Sequence, residues 1–141
     1  MDFELSRFLP YRMNVLSERL SQGLASQYRK EFGISVAEWR VLSHLSQSDQ
    51  VSIRDIQQRV NLEKSKVSRA ASRLENSGLI KKRVDANDRR LLQLSLTAKG
   101  RKLMEKIVPV ALAYQSRLEK LLGDKFDDFE IAMARLMEEE H

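Results

Sequence analysis

The side chains with the most evident chemistry lie between Lys64 and Arg90. Placed on a helical wheel, Ser65, Lys66, Ser68, Arg69, Ser72, Arg73 and Asn76 fall on one side, and Val67, Ala70, Ala71, Leu74 and Gly78 fall on the other. An ordinary solvated face mixes both charge signs, whereas this polar set holds three cations, three hydroxyls and an amide without an acid. Such a set suits a DNA major groove, where Arg and Lys meet phosphate or guanine and Ser and Asn reach base edges. Downstream, Ser77-Gly78 reads as a helix stop, Leu79 to Val84 as a strand, DANDRR as a turn and Leu91 to Leu96 as a returning strand with alternating leucines. A polar-faced helix followed by a basic-tipped hairpin is a winged helix-turn-helix arrangement.

No catalytic constellation accompanies these residues. The histidines are His44 and His141, cysteine is absent, no Gly-rich phosphate loop occurs, and the adjacent carboxylates Asp127 and Asp128 point apart on a helix. An enzyme, a cofactor and a metal are therefore not expected. The absence of cysteine also excludes disulfides and thiol redox sensing in these 141 residues. The acidic opening stretch MDFELSRFLP does not resemble a secretory signal, and no apolar run reaches membrane-spanning length, so a soluble cytoplasmic protein is expected. The net charge of +5 is unevenly spread: residues 64–102 hold 12 basic and 3 acidic side chains, whereas residues 103–141 hold 5 basic and 9 acidic ones. A cationic focus that coincides with the helix and hairpin attracts a polyanion and makes binding salt-dependent.

The remaining elements must position that segment. Phe8 to Phe32 has the apolar spacing of a long helix, with Pro10 tolerable near its start and Gly33 as its left-handed cap. Ser35 and Glu38 have capping-box spacing, and Val36, Trp39, Leu42 and Leu45 form the inward face of the helix they open. After a polar loop, Ser52 and Asp55 repeat the device, with Ile53, Ile56 and Val60 pointing inward and Asn61 available to cap the next helix. Thr97 caps a second long helix to about Leu122, where Pro109 predicts a kink and Leu103, Ile107, Val110, Ala111, Tyr114, Leu118 and Leu121 form the stripe. Gly123-Asp124 restarts the chain into a last helix with an acidic end. The expected fold is mainly α with a small β-hairpin wing (α+β): residues 1–33 and 98–141 serve dimerisation and residues 34–97 bind DNA. Both terminal regions are too apolar to stand uncovered, which a homodimer would resolve while setting two recognition helices roughly 34–36 Å apart. A sequence-neutral architectural DNA binder and a winged-helix protein-interaction module are the alternatives.

The chain resembles the MarR family of winged-helix transcriptional regulators. The resemblance is carried by Trp39-Arg40-Val41-Leu42, by Ser65-x-x-Ser68-Arg69, by Leu74-Glu75-x-x-Gly78-Leu79-Ile80, and most by Asp85-x-x-Asp88-Arg89-Arg90 running into Leu94-Ser95-Leu96-Thr97-x-x-Gly100. It implies a homodimer on a pseudo-palindromic operator, commonly a repressor released by a small, often aromatic, molecule. It further implies that Ser65, Lys66, Ser68, Arg69 and Arg73 face the major groove, and that Arg90 enters the minor groove, oriented by Asp88 beside Arg89. An effector would sit between the dimerisation helices and the DNA-binding lobe, in a neighbourhood expected to include Tyr11, Arg12, Val15, Trp39, Arg40, His44 and Met104. Aromatics with cations there suit an aromatic carboxylate or an acyl thioester.

Overall fold

A computed structural model describes residues 2–48, 51–60, 62–84, 86–87 and 92–139. A 3-10 turn, Leu5–Arg7, leads into α1 (Leu9–Phe32), followed by α2 (Val36–Gln47), β1 (Val51–Ser52), α3 (Ile53–Arg59) and α4 (Lys64–Asn76). Then come β2 (Ile80–Val84), β3 (Leu92–Leu96), α5 (Ala98–Leu122), a second 3-10 turn (Gly123–Lys125) and α6 (Phe126–Glu138). The fold is the expected one, mainly helical with a small antiparallel sheet. One element differs: Val51 and Ser52 pair with Leu94 and Gln93, making a three-stranded sheet of order β1-β3-β2 rather than a bare hairpin. A strand of two residues is too short to carry an alternation, so sequence periodicity could not reveal it.

Side-chain caps set the helix starts. Ser35 and Glu38 form a full capping box, Ser52 accepts from the Asp55 backbone N–H, and Thr97 accepts from that of Gly100. Gly33 closes α1 in the left-handed conformation at φ 68°. Helix α5 runs through Pro109 without a break. The core joins the middle layers: Tyr28 of α1, Val41, Leu42 and Leu45 of α2, Ile56 of α3, Val67, Ala70, Ala71 and Leu74 of α4, Ile80 and Leu94 of the sheet, and Met104 and Ile107 of α5. Val41 is fully buried although the expected face of α2 omitted it, while Val36, Trp39 and Ile53 are only partly covered.

The terminal elements behave differently. Helix α6 buries no residue, and Leu121 and Met137 are each 83% exposed. Phe3, Leu5, Phe8, Leu9 and Tyr11 also stand exposed at the opposite end of the chain. Leu121 thus leaves the inward stripe assigned to it: the buried positions of α5 end at Ile107, and beyond them stands the half-buried Tyr114. That tyrosine crosses to α1, where its hydroxyl donates to the Leu20 carbonyl at 2.9 Å.

Gly100 marks the tightest approach in the domain. A β-carbon there would collide with the Leu79 carbonyl oxygen, a backbone atom that cannot swing aside. Gly100→Ala should therefore destabilise the fold by about 2 kcal/mol, as overpacking does, read as a lower urea midpoint at unchanged slope. An unchanged midpoint would mean that α5 is free to shift away from the sheet.

Candidate nucleic-acid interface

The polar-faced segment is the 13-residue helix α4, and its wheel is as the spacing required: Val67, Ala70, Ala71 and Leu74 are completely buried. Its start differs from expectation. Glu63, not Asn61, occupies the N-cap, and it does so without a side-chain hydrogen bond. Asn61 itself lies outside the described residues. The Glu63 carbonyl accepts from the N–H groups of Lys66 and Val67. At the other end, Leu79 N–H donates to Leu74 and Gly78 N–H to Glu75, a Schellman closure made possible by Gly78 at φ 76°.

The exposed face of α4 is unevenly committed. Toward its C-terminal half, Ser72 accepts from Lys82 Nζ at 3.4 Å, Glu75 pairs with the same ammonium at 3.6 Å, and Arg73 Nε meets Glu38 Oε1 at 3.4 Å. Ser68 is half-buried and lies 3.4 Å from Gln57 Nε2 on α3. By contrast, Ser65, Lys66 and Arg69 have no side-chain partner among the described residues. Six candidate contacts thus divide into three held by the protein and three left for a ligand. The Arg73–Glu38 pair is half exposed on the arginine side and so binds weakly, leaving the guanidinium able to exchange partners. Glu75 also shows that the helix surface does carry an acid, turned toward β2 and its lysine.

Lys82 and Glu38 were not among the expected site residues. A signal for Lys82 exists: it alternates with Ile80 and Val84, so a cation sits on the strand face that turns inward at Ile80. For Glu38 the capping role is legible, but its second partner is 35 residues away in sequence and is brought near only by the packing of α4 on α2.

Lys66, Arg69 and Arg73 open onto a polar groove of about 700 Å³ that also receives Arg40 of α2 and Arg29 of α1, with Glu18 as its acid. Cations from three helices therefore converge on the side where α4 faces solvent, which concentrates positive potential beyond what one helix supplies. Asp88, Arg89 and Arg90 lie outside the described residues. The strands that lead to them are paired as far as Val84 and Leu92.

The residues expected around an effector are not gathered in one cavity of the chain. Tyr11, Arg12 and Val15 line a shallow cleft on the first half of α1. Trp39 stacks on the buried Tyr28, with ring centroids 5.5 Å apart, and burial raises the phenol pKa of that tyrosine. Arg40 donates to the Val60 carbonyl at 3.1 Å and reaches Ser21 on α1 at 3.4 Å, which ties three helices together. Met104 lines a separate cleft of about 750 Å³ with Leu45, Leu96, Val108, Lys81 and Arg101. Its lining is largely apolar, with two cations and Glu105 at its edges.

His44 is partly buried near Arg59, and burial first, then that guanidinium, lowers its pKa below the ordinary 6.5. A lowered histidine pKa means that the unfolded chain takes up the proton first on acidification. The His44 contribution is complete above about pH 6.5 and is lost as pH falls from there through the folded value. His44→Gln should flatten that part of a stability–pH curve measured by urea unfolding. A curve of unchanged shape would place the titrating group elsewhere.

Three helices in an α2-α3-α4 order, a β1-β3-β2 sheet and an exposed cationic second helix of the pair define a winged helix-turn-helix protein. A family model described as MarR family matches residues 32–91, from the end of α1 to just before β3. Over 73 residues the chain is 33% identical to the HTH-type transcriptional regulator YdgJ of Bacillus subtilis (strain 168), covering 52% of this chain and 44% of that protein. Over 137 residues it is 26% identical to the HTH-type transcriptional regulator PapX of Escherichia coli, covering 91% of this chain and 84% of the relative. The crystal structure of a MarR/EmrR family transcriptional regulator from Acinetobacter sp. ADP1 superposes with a TM-score of 0.83 at 26% identity, over 96% of each chain. The family model, these relatives and the shared fold all support a winged-helix, DNA-binding transcriptional regulator similar to those of the MarR family. These relatives are regulators rather than enzymes. Among the described residues no helix is long and apolar enough to cross a membrane, and no group of His, Cys, Asp and Glu is arranged to hold a metal ion.

Proposed function

We propose that this protein is a homodimeric repressor that reads a pseudo-palindromic operator and is released from it by a small anionic ligand. The observation that carries the reading is the unspent first half of α4. Ser65, Lys66 and Arg69 project from one exposed face without partners among the described residues, and the helix beneath them is anchored by four buried side chains. In this reading these three contact bases and adjacent phosphates, Ser68, Ser72 and Arg73 contribute after exchanging their present partners, and Asp88, Arg89 and Arg90 form the wing contact. Exposed apolar side chains at both chain termini support a second copy as their cover. Light scattering should return the mass of two chains, and a monomer at micromolar concentration would remove the dimer.

The Met104 cleft fits the ligand best. Its apolar lining accepts a ring or acyl chain, and Lys81 and Arg101 supply cations for a carboxylate. It lies between the sheet and α5, so an occupant can bear on the DNA-binding lobe and the long helix together. Release requires that the occupant bind one dimer geometry more tightly than the other.

The test is fluorescence anisotropy with the duplex upstream of the protein's own gene against a scrambled duplex, over a salt series. Preference by about a thousandfold is expected for a site-specific regulator. Arg69→Ala should cost about 1–3 kcal/mol and relax base preference, whereas Arg90→Ala should lower the salt slope by about one unit. Equal, steeply salt-dependent binding to both duplexes would favour an architectural binder. No binding at low salt would favour a protein-interaction module.

A further inference from the structure

We infer that Thr97 and Lys99 are positioning residues for DNA recognition: they lock the turn that follows α4, Ser77 to Leu79, to the first turn of α5, so that α5 helps to set the angle at which α4 meets DNA. The inference rests on the DNA-reading role of α4 and adds how that helix is aimed. Three successive carbonyls in the turn after α4, those of Ser77, Gly78 and Leu79, each accept a hydrogen bond from the start of α5. Lys99 Nζ donates to Ser77 O at 2.8 Å. Thr97 Oγ1 donates to Gly78 O at 2.6 Å, and the Thr97 backbone N–H donates to Leu79 O at 3.1 Å. The same Thr97 hydroxyl accepts from Gly100 N–H at 3.1 Å, so one oxygen both caps α5 and grips the turn after α4.

Two of these bonds come from side chains, and the third continues the β2–β3 ladder one rung past Ile80 and Leu96. The Lys99 ammonium also sits where the dipole of α4 is negative, which favours its charge there. Gly100 allows the approach, because any larger residue would meet the Leu79 carbonyl. Beyond the junction α5 is continuous to Leu122 and is hooked to α1 through Tyr114 and Leu20. A tilt of α5 therefore carries the end of α4 with it instead of slipping past. The start of α4, with Ser65, Lys66 and Arg69, lies at the opposite end of the helix from this junction. Lys99 is exposed and Thr97 is half-buried, so neither fills the core. Their bonds fix orientation rather than burial.

The experiment uses the full chain and a duplex that the unaltered protein selects from a random library. That duplex is compared with a version whose half-site spacing is lengthened by one base pair, and with a scrambled control. Thr97→Val keeps the shape but loses both hydroxyl bonds, Thr97→Ser restores them, and Lys99→Met removes only the ammonium. Thr97→Val should lose about tenfold in affinity for the selected duplex and should discriminate less between the two spacings, while scrambled-duplex affinity and salt slope stay unchanged. Thr97→Ser should match the unaltered protein, and Lys99→Met should shift selectivity in the same direction by less. Full selectivity in both Thr97→Val and Lys99→Met would overturn the inference. So would parallel losses on every duplex together with a lower Tm, which is the mark of a folding role alone. If Thr97→Val fails to fold, Lys99→Met decides by itself. A selection that enriches no sequence would overturn the DNA reading beneath the inference, an outcome distinct from failure of the lock.

Discussion

The structure depends on the burial of one narrow face of α4. Val67, Ala70, Ala71 and Leu74 are withdrawn completely from solvent while the opposite face stays open. Two alanines at the centre let the helix lie close against α2, and the flanking Val and Leu supply the apolar area that holds it there. A helix of 13 residues is marginal in isolation, so its presentation to a ligand rests on this packing rather than on its own propensity. Three neighbouring elements make that contact. Helix α2 forms the floor, α3 bounds one side, and β2 leans on the other through Lys82.

Polar bonding around α4 follows from this arrangement. A helix fixed on one side still has an unsatisfied end and a row of side chains that could pair with the rest of the protein. Here the pairing is graded along the helix. Ser72, Arg73 and Glu75 are engaged by Lys82 and Glu38, the carbonyls of the turn after α4 by Thr97 and Lys99, and the first turns by little besides packing. The half of the helix richest in uncommitted donors is thus also the half away from the Ser77 to Leu79 turn. Surface ion pairs such as Arg73–Glu38 cost little to break, so the engaged residues remain a reserve rather than a loss.

The terminal helices obey a different balance. Helix α6 exposes Ile131, Met133, Leu136 and Met137, and the first eleven residues expose two phenylalanines, two leucines and a tyrosine, more apolar surface than a lone lobe has reason to show. The proposed second copy would supply the missing cover, and the same cover would fix the separation of the two α4 helices. Stability and recognition would then share one interface, which explains why a small domain carries two helices of more than twenty residues.

Local rules were legible wherever a single residue and its near neighbours decide the outcome. The caps at Ser35, Ser52 and Thr97, the left-handed glycines at Gly33 and Gly78, the polar and apolar faces of α4 and the β2–β3 pairing could all be read from spacing, because each involves partners within a few residues or one period. The amino-acid order also concentrated cations in one segment, and the family resemblance placed that segment on a known fold. Tertiary structure decided what spacing cannot encode. It made Val51 and Ser52 a third strand, since two residues gain strand geometry only from a partner 43 positions away. It moved the cap of α4 to Glu63, spread the expected effector residues over separate clefts, and turned Ser68, Ser72 and Arg73 toward Gln57, Lys82 and Glu38. The reason is the same in each case: a side chain's periodicity says which way it faces, but only the packed neighbours say what it meets there.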